Sequence, residues 1–110
     1  MNVLKKREIE KLTRDYAQKM GVKNLREIRW ARIPARIVKT KKAKYKKIIL
    51  GKANVTEGII TFNEALTNYD EATIKETIVH ELLHLRGYLK HGSLFDYLVK
   101  CYSSEFSEML

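Results

Sequence analysis

All three histidines of this chain fall within one short stretch, at 80, 84 and 91, and the first two bracket a glutamate as His80-Glu81-Leu82-Leu83-His84. That spacing constrains the local fold more than any other feature of the sequence. On an α-helix, positions four apart stand only about 40° apart around the axis and one turn apart along it. Both imidazoles then meet a single metal ion. Glu81 points about 100° round from His80, beside that ion, where a base takes a proton from coordinated water. In any other conformation the motif is three unrelated side chains.

The flanking residues agree with a helix. Asp70 is a natural N-cap, Glu71 follows at the positive end of the dipole, and Gly87 is a natural stop after Arg86. Ile74, Ile78, Leu82, Leu85 and Leu89 share the face opposite the histidines and predict a core side. Thr73, Thr77 and Gly87 lie with the histidines and suit a cleft.

A catalytic zinc takes three protein ligands and keeps an open position. On a continuous helix, His91 would lie about 10 Å beyond His84. A left-handed Gly87 reverses the chain, and Tyr88-Leu89-Lys90 then brings His91 back as the third ligand. Glu105 and Glu108 on the last helix are the alternative third ligands. The pattern HExxHxxGxxH also fits Gly87, but its third ligand would fall at Lys90, which is no zinc ligand here. The expected set is one Zn2+ per chain on His80, His84 and His91, with Glu81 as the catalytic base. Without a metal, the same residues are a structural helix with two exposed histidines.

The 110 residues suit one minimal domain, 1–110, and a 45% hydrophobic content excludes a disordered chain. The single Cys101 allows no internal disulfide and no cysteine-based zinc site, and a buried structural thiol is its expected role. No stretch reaches 18 apolar residues and no signal-peptide core is present, so no membrane insertion and a cytoplasmic location are expected. Ile9, Leu12, Tyr16 and Met20 predict a helix over 2–20. Residues 28–38 read as a strand that Pro34 forces to an edge or bulges. Residues 45–55 and 59–62 read as two more. A last helix over 93–110 carries the stripe Phe95, Leu98, Val99, Tyr102, Phe106 and Met109. The fold class is α+β: an N-terminal helix, a three-stranded mostly antiparallel sheet, the HExxH helix and a C-terminal helix.

Charge divides the chain. Up to Lys52 there are 18 basic and 4 acidic residues, a balance of +14, and beyond it the balance is −5. The cluster of Lys39, Lys41, Lys42, Lys44, Lys46 and Lys47 predicts a nucleic-acid surface, with Tyr45 and Trp30 as stacking residues, or a solvated hairpin that blunts a sheet edge. The wealth of Lys, Glu and Ile also suits a thermophile.

His80-Glu81-Leu82-Leu83-His84, six residues, then His91-Gly92-Ser93-Leu94-Phe95, resembles the minigluzincins, very small soluble zinc metallopeptidases. The strands Ala53-Asn54-Val55 and Ile59-Ile60-Thr61-Phe62 are similar to those ahead of the active-site helix in membrane-bound gluzincin peptidases, and the HGxxF ending resembles SprT-like peptidases. The resemblance covers residues 48–95 closely. It implies a compact gluzincin-type peptidase with His80, His84 and His91 on zinc and Glu81 as general base and acid. A peptide or protein substrate is expected to add as a strand along Ala53, Asn54 and Val55. The resemblance also implies that the segment after the third ligand can hold such a protein latent as a zymogen; the apolar stripe of 93–110, in a domain with little core to offer it, is expected to cover its own cleft or to exchange into a homodimer. SprT-like peptidases act near DNA, which would give Lys41, Lys42, Lys44, Lys46 and Lys47 a nucleic-acid partner. Tyr88, Tyr97 and Tyr102 are the candidates for stabilising the oxyanion.

Overall fold

A computed structural model describes the backbone of residues 4–107 and the side chains of residues 4–102. It is a mixed α+β fold of three helices and two small sheets. The order is α1 (Lys6–Lys19), β1 (Glu27–Ala31), β2 (Arg36–Lys39), β3 (Lys44–Lys47), β4 (Gly51–Asn54), β5 (Ile59–Asn63), a short 3-10 helix (Glu64–Asn68), α2 (Glu71–Arg86) and α3 (Ser93–Ser107).

Helix α1 begins at Lys6, later than its periodicity predicts. The Lys5 N–H donates to the Glu8 carboxylate at 3.1 Å, which satisfies one of the free donors at a helix start. Its stripe of Ile9, Leu12, Tyr16 and Met20 is buried. It joins Ile74, Ile78, Leu82 and Leu85 of α2 and Ile60 and Phe62 of β5 in one core. Leu89 departs from the expected core face. It follows the helix-ending Gly87 and is 64% exposed, because the chain has already turned away.

The expected three-stranded sheet is corrected in two ways. Each long predicted strand divides, the first around Pro34 and the second around residues 48–50. Proline removes a ladder donor, so residues 32–35 leave the sheet. The result is a sheet ordered β1-β5-β4 and a separate β2-β3 hairpin. In the larger sheet β4 pairs with β5 antiparallel, but β1 pairs with β5 parallel, Glu27 opposite Ile59 and Ala31 opposite Asn63. The hairpin and β4 together form the long crossover that a parallel pair requires. At the β4–β5 turn Gly58 has φ +71°, and a side chain there would meet the Asn24 carbonyl oxygen at 2.0 Å. Only glycine fits that position.

Asn63 holds the parts together. Its Nδ2 donates to the Ile33 carbonyl at 3.1 Å and the Ile49 carbonyl at 2.9 Å, one on each stem of the hairpin. Its Oδ1 accepts from the Ala65 N–H at 3.0 Å and caps the 3-10 helix, an element that no periodicity predicts. Helix α3 packs on α2 of its own chain, with Phe95 buried and Leu98, Val99 and Tyr102 half-buried. An Arg86 guanidinium N–H donates to the Tyr102 hydroxyl at 3.2 Å. Glu105, Phe106, Glu108 and Met109 lie outside the described side chains. Cys101 is exposed, not buried as expected, because it falls on the outer face of α3 beside Tyr97. Among the described residues, no helix is long and apolar enough to cross a membrane.

Candidate metal centre

Helix α2 is fixed at both ends by its own sequence. The Asp70 carboxylate accepts from the Thr73 hydroxyl at 2.5 Å and the Thr73 N–H at 3.4 Å, and the first of these bonds holds it below the usual carboxylate range. At the far end Gly87 is left-handed, with φ 115°. Its N–H donates to the His84 carbonyl at 3.1 Å, and the Tyr88 N–H donates to the Leu83 carbonyl at 3.0 Å. This pair of bonds is the Schellman closure, which turns the chain back over the helix. The Asp96 N–H then donates to the Gly92 carbonyl as α3 starts.

That reversal brings His91 to the other two histidines. The Nε2 atom of His84 lies 3.2 Å from Nε2 of His80 and 2.9 Å from Nε2 of His91. All three donor atoms lie within 4.8 Å of one another, so the group can hold a metal ion. The Tyr88 carbonyl sits 2.9 Å from His84 Nδ1. A carbonyl only accepts, so Nδ1 carries the proton and Nε2 keeps its lone pair for a ligand. Tyr88 therefore both ends the helix and sets the tautomer of His84.

The phenyl ring of Phe95 packs against all three imidazoles, with centroids 4.8 Å from His80 and 5.0 Å from both His84 and His91. Phe95 is 2% exposed. One ring from α3 thus backs the whole cluster, a role the helical stripe alone does not reveal. Burial pushes His80 down to about 4, helped by repulsion from His84 and His91. Burial also lowers His84, against the opposing pull of the Tyr88 carbonyl. Both rings are therefore neutral at neutral pH, the form that ligates metal.

Glu81 is only 5% exposed, and burial pushes its carboxyl up to about 7. It faces Gly51 of β4. A β-carbon at Gly51 would approach Glu81 Cγ and Oε2 to 3.1 Å, so the missing side chain leaves the carboxylate its place. His80, Glu81 and His91 open into a cleft of about 520 Å³. One side is residues 47–51. The other is α2, including Thr73 and Thr77, with Val99 of α3 at the margin.

The cleft is bordered by residues 47–51, not by Ala53, Asn54 and Val55. Ala53 packs against the core, the Asn54 Oδ1 accepts from the Glu57 N–H at 3.0 Å, and Val55 lies past the end of β4. The alternation of the strand and the closing turn direct these three residues elsewhere. None of Tyr88, Tyr97 and Tyr102 borders the cleft.

The lysine cluster is the β2–β3 hairpin, fully exposed along β3. Tyr45 lies among these lysines and is 51% exposed. Trp30 does not join them. It sits on β1 against Phe62, ring centroids 5.4 Å apart, with the Lys6 ammonium 5.4 Å from its ring. Compared with known proteins, the chain matches no family model, no curated protein and no solved structure.

Proposed function

We propose that this chain is a zinc-dependent endopeptidase of gluzincin type, with His80, His84 and His91 as the metal ligands and Glu81 as the general base. The observation that carries the reading is the convergence of three Nε2 atoms beside a buried carboxylate at the end of a cleft. Ligands about 2.05 Å from a tetrahedral zinc lie about 3.3 Å apart, close to the 3.2 and 2.9 Å spacings from His84. Three imidazoles on one side also leave a fourth position open to the cleft, as a catalytic rather than structural zinc site requires. When bound, zinc would polarise the scissile carbonyl and acidify water.

The chain's own residues do the rest. The Tyr88 carbonyl orients His84, and Phe95 backs all three rings. Glu81, raised to about 7, is poised to take a proton near neutral pH and return it to the leaving amine. Residues 47–51 offer an extended backbone along which a peptide can lie. The resemblance of the histidine motif and its flanks to minigluzincins supports this reading, and the α3 margin of the cleft is where a latent form would be held.

The test is Glu81→Gln in the zinc-loaded protein, assayed on a quenched peptide library. Zinc content should stay at the wild-type level while hydrolysis falls by about 10²–10⁴-fold. Hydrolysis at the wild-type rate would remove Glu81 from the mechanism.

A further inference from the structure

Residues 36–47 contain Arg36, Lys39, Lys41, Lys42, Lys44, Lys46 and Lys47 and no acidic residue. Among the described residues, none of these seven cations has an ion-pair partner. Register makes the repulsion direct. Arg36 stands opposite Lys47, and Lys39 stands opposite Lys44. Like charges directly across an antiparallel pair destabilise it. The hairpin joins neither edge of the three-stranded sheet, so its strands add nothing to that ladder.

Position gives this charge a use. Lys47 ends β3 and also borders the cleft that holds His80 and Glu81. The chain runs from β3 through residues 48–50 into β4 without a turn. A substrate backbone laid along residues 47–51 is therefore carried onward past Lys46 and Lys44. Tyr45 and Lys47 share one face of β3 and Lys44 and Lys46 the other, so a chain lying along this strand meets an ammonium on either face. An acidic extended peptide satisfies both the backbone of the cleft side and the charge of the hairpin.

We propose that the hairpin is an extended substrate subsite that selects polypeptides bearing glutamate or aspartate to one side of the bond placed at the histidine cluster. This rests on the peptidase reading above. Nucleic acid is the competing polyanion. The peptide is favoured because the cationic strand runs directly into the cleft side.

The test separates binding from hydrolysis. Zinc-loaded Glu81→Gln is titrated into a labelled glutamate-rich peptide, its glutamine-for-glutamate counterpart and a single-stranded oligonucleotide of matching charge, read by fluorescence anisotropy. The glutamate-rich peptide should bind about tenfold or more tighter than its counterpart at low salt, with the advantage shrinking as salt rises. Adding Lys44→Glu and Lys46→Glu should abolish the advantage, and the neutralising pair Lys44→Gln and Lys46→Gln should roughly halve its logarithm. The same charge change at Lys11 and Lys19 on α1 should leave it intact. Equal affinity for the two peptides overturns the proposal, as does tighter binding of the oligonucleotide. Cleavage of the glutamine counterpart by wild type, with no charge preference in binding, would leave the peptidase reading standing and the subsite refuted. Charge-selective binding with no cleavage of any peptide would do the reverse.

Discussion

The histidine helix and the lysine hairpin meet at one cleft but are held by different means. Helix α2 is packed by α1, by β4 and by α3, and its apolar face of Ile74, Ile78 and Leu82 is fully buried. The hairpin buries little on either face, with Ile37 and Tyr45 both exposed, and the Asn63 side chain ties its two stems at the base. The well-packed element carries the histidine cluster and Glu81, whose proposed chemistry depends on exact geometry. The other carries charge, which acts at a distance and tolerates movement. In so small a domain the core suffices to fix one of these regions, and it fixes the one with the histidines.

The largest effect should come from removing the ring that backs the cluster. Phe95→Ala should cost about 3–5 kcal/mol of stability, measured by urea unfolding of the metal-free protein. It should also weaken metal binding by about 10–100-fold, the size seen when groups that orient ligands are lost. A hairpin variant that matched either loss would erase the contrast between the two regions.

Acid and base should stress the rigid region in opposite senses. The folded-state value of Glu81 is raised from 4.5 to about 7, so the fold holds this proton more tightly than the unfolded chain does. That stabilisation is complete below pH 4.5 and is lost as the pH rises through 7. His80 is lowered from 6.5 to about 4, so its contribution is complete above pH 6.5 and is lost as the pH falls through 4. Metal-free Glu81→Gln should therefore gain on wild type between about pH 4 and pH 8, by on the order of 3 kcal/mol. Chemical denaturation at the two pH values checks this, and a pH-independent difference would remove the buried charge from the account.

A smaller loss should follow at the joint. Asn63→Ala leaves the Ile33 and Ile49 carbonyls without their donor and should cost about 1–3 kcal/mol. Hydrogen exchange should quicken over residues 33–50 more than in α2. Smallest of all, Lys41→Ala with Lys42→Ala at the exposed turn should change the unfolding free energy by less than about 0.5 kcal/mol.

The same contrast governs what the sequence reveals. The N-cap Asp70, the left-handed Gly87 and the helical stripe as far as Leu85 are local signals, and each appears where its local rule places it. His91 was accessible by the same logic, because a glycine reversal and a short loop set its reach. The sheet was less legible. The pairing of β1 with β5 spans the whole hairpin, and no local pattern encodes a parallel partner so distant. Between β3 and β4 the residues read as one strand, since the break falls where the chain leaves β2 and takes up β5, and where Asn63, far away in sequence, bonds the Ile49 carbonyl. Phe95 announced itself only as one apolar residue in a stripe. Its contact with three imidazoles depends on how α3 folds back, a tertiary fact.

Zinc binding tests the central claim most directly. Metal analysis after equilibrium dialysis should find one zinc per chain in wild type and in Glu81→Gln, with affinity reduced by at least about a hundredfold in His91→Ala and in His84→Ala. A wild-type protein that binds no zinc, or a His91→Ala variant that holds it with undiminished affinity, would contradict the three-histidine site on which the proposed peptidase rests.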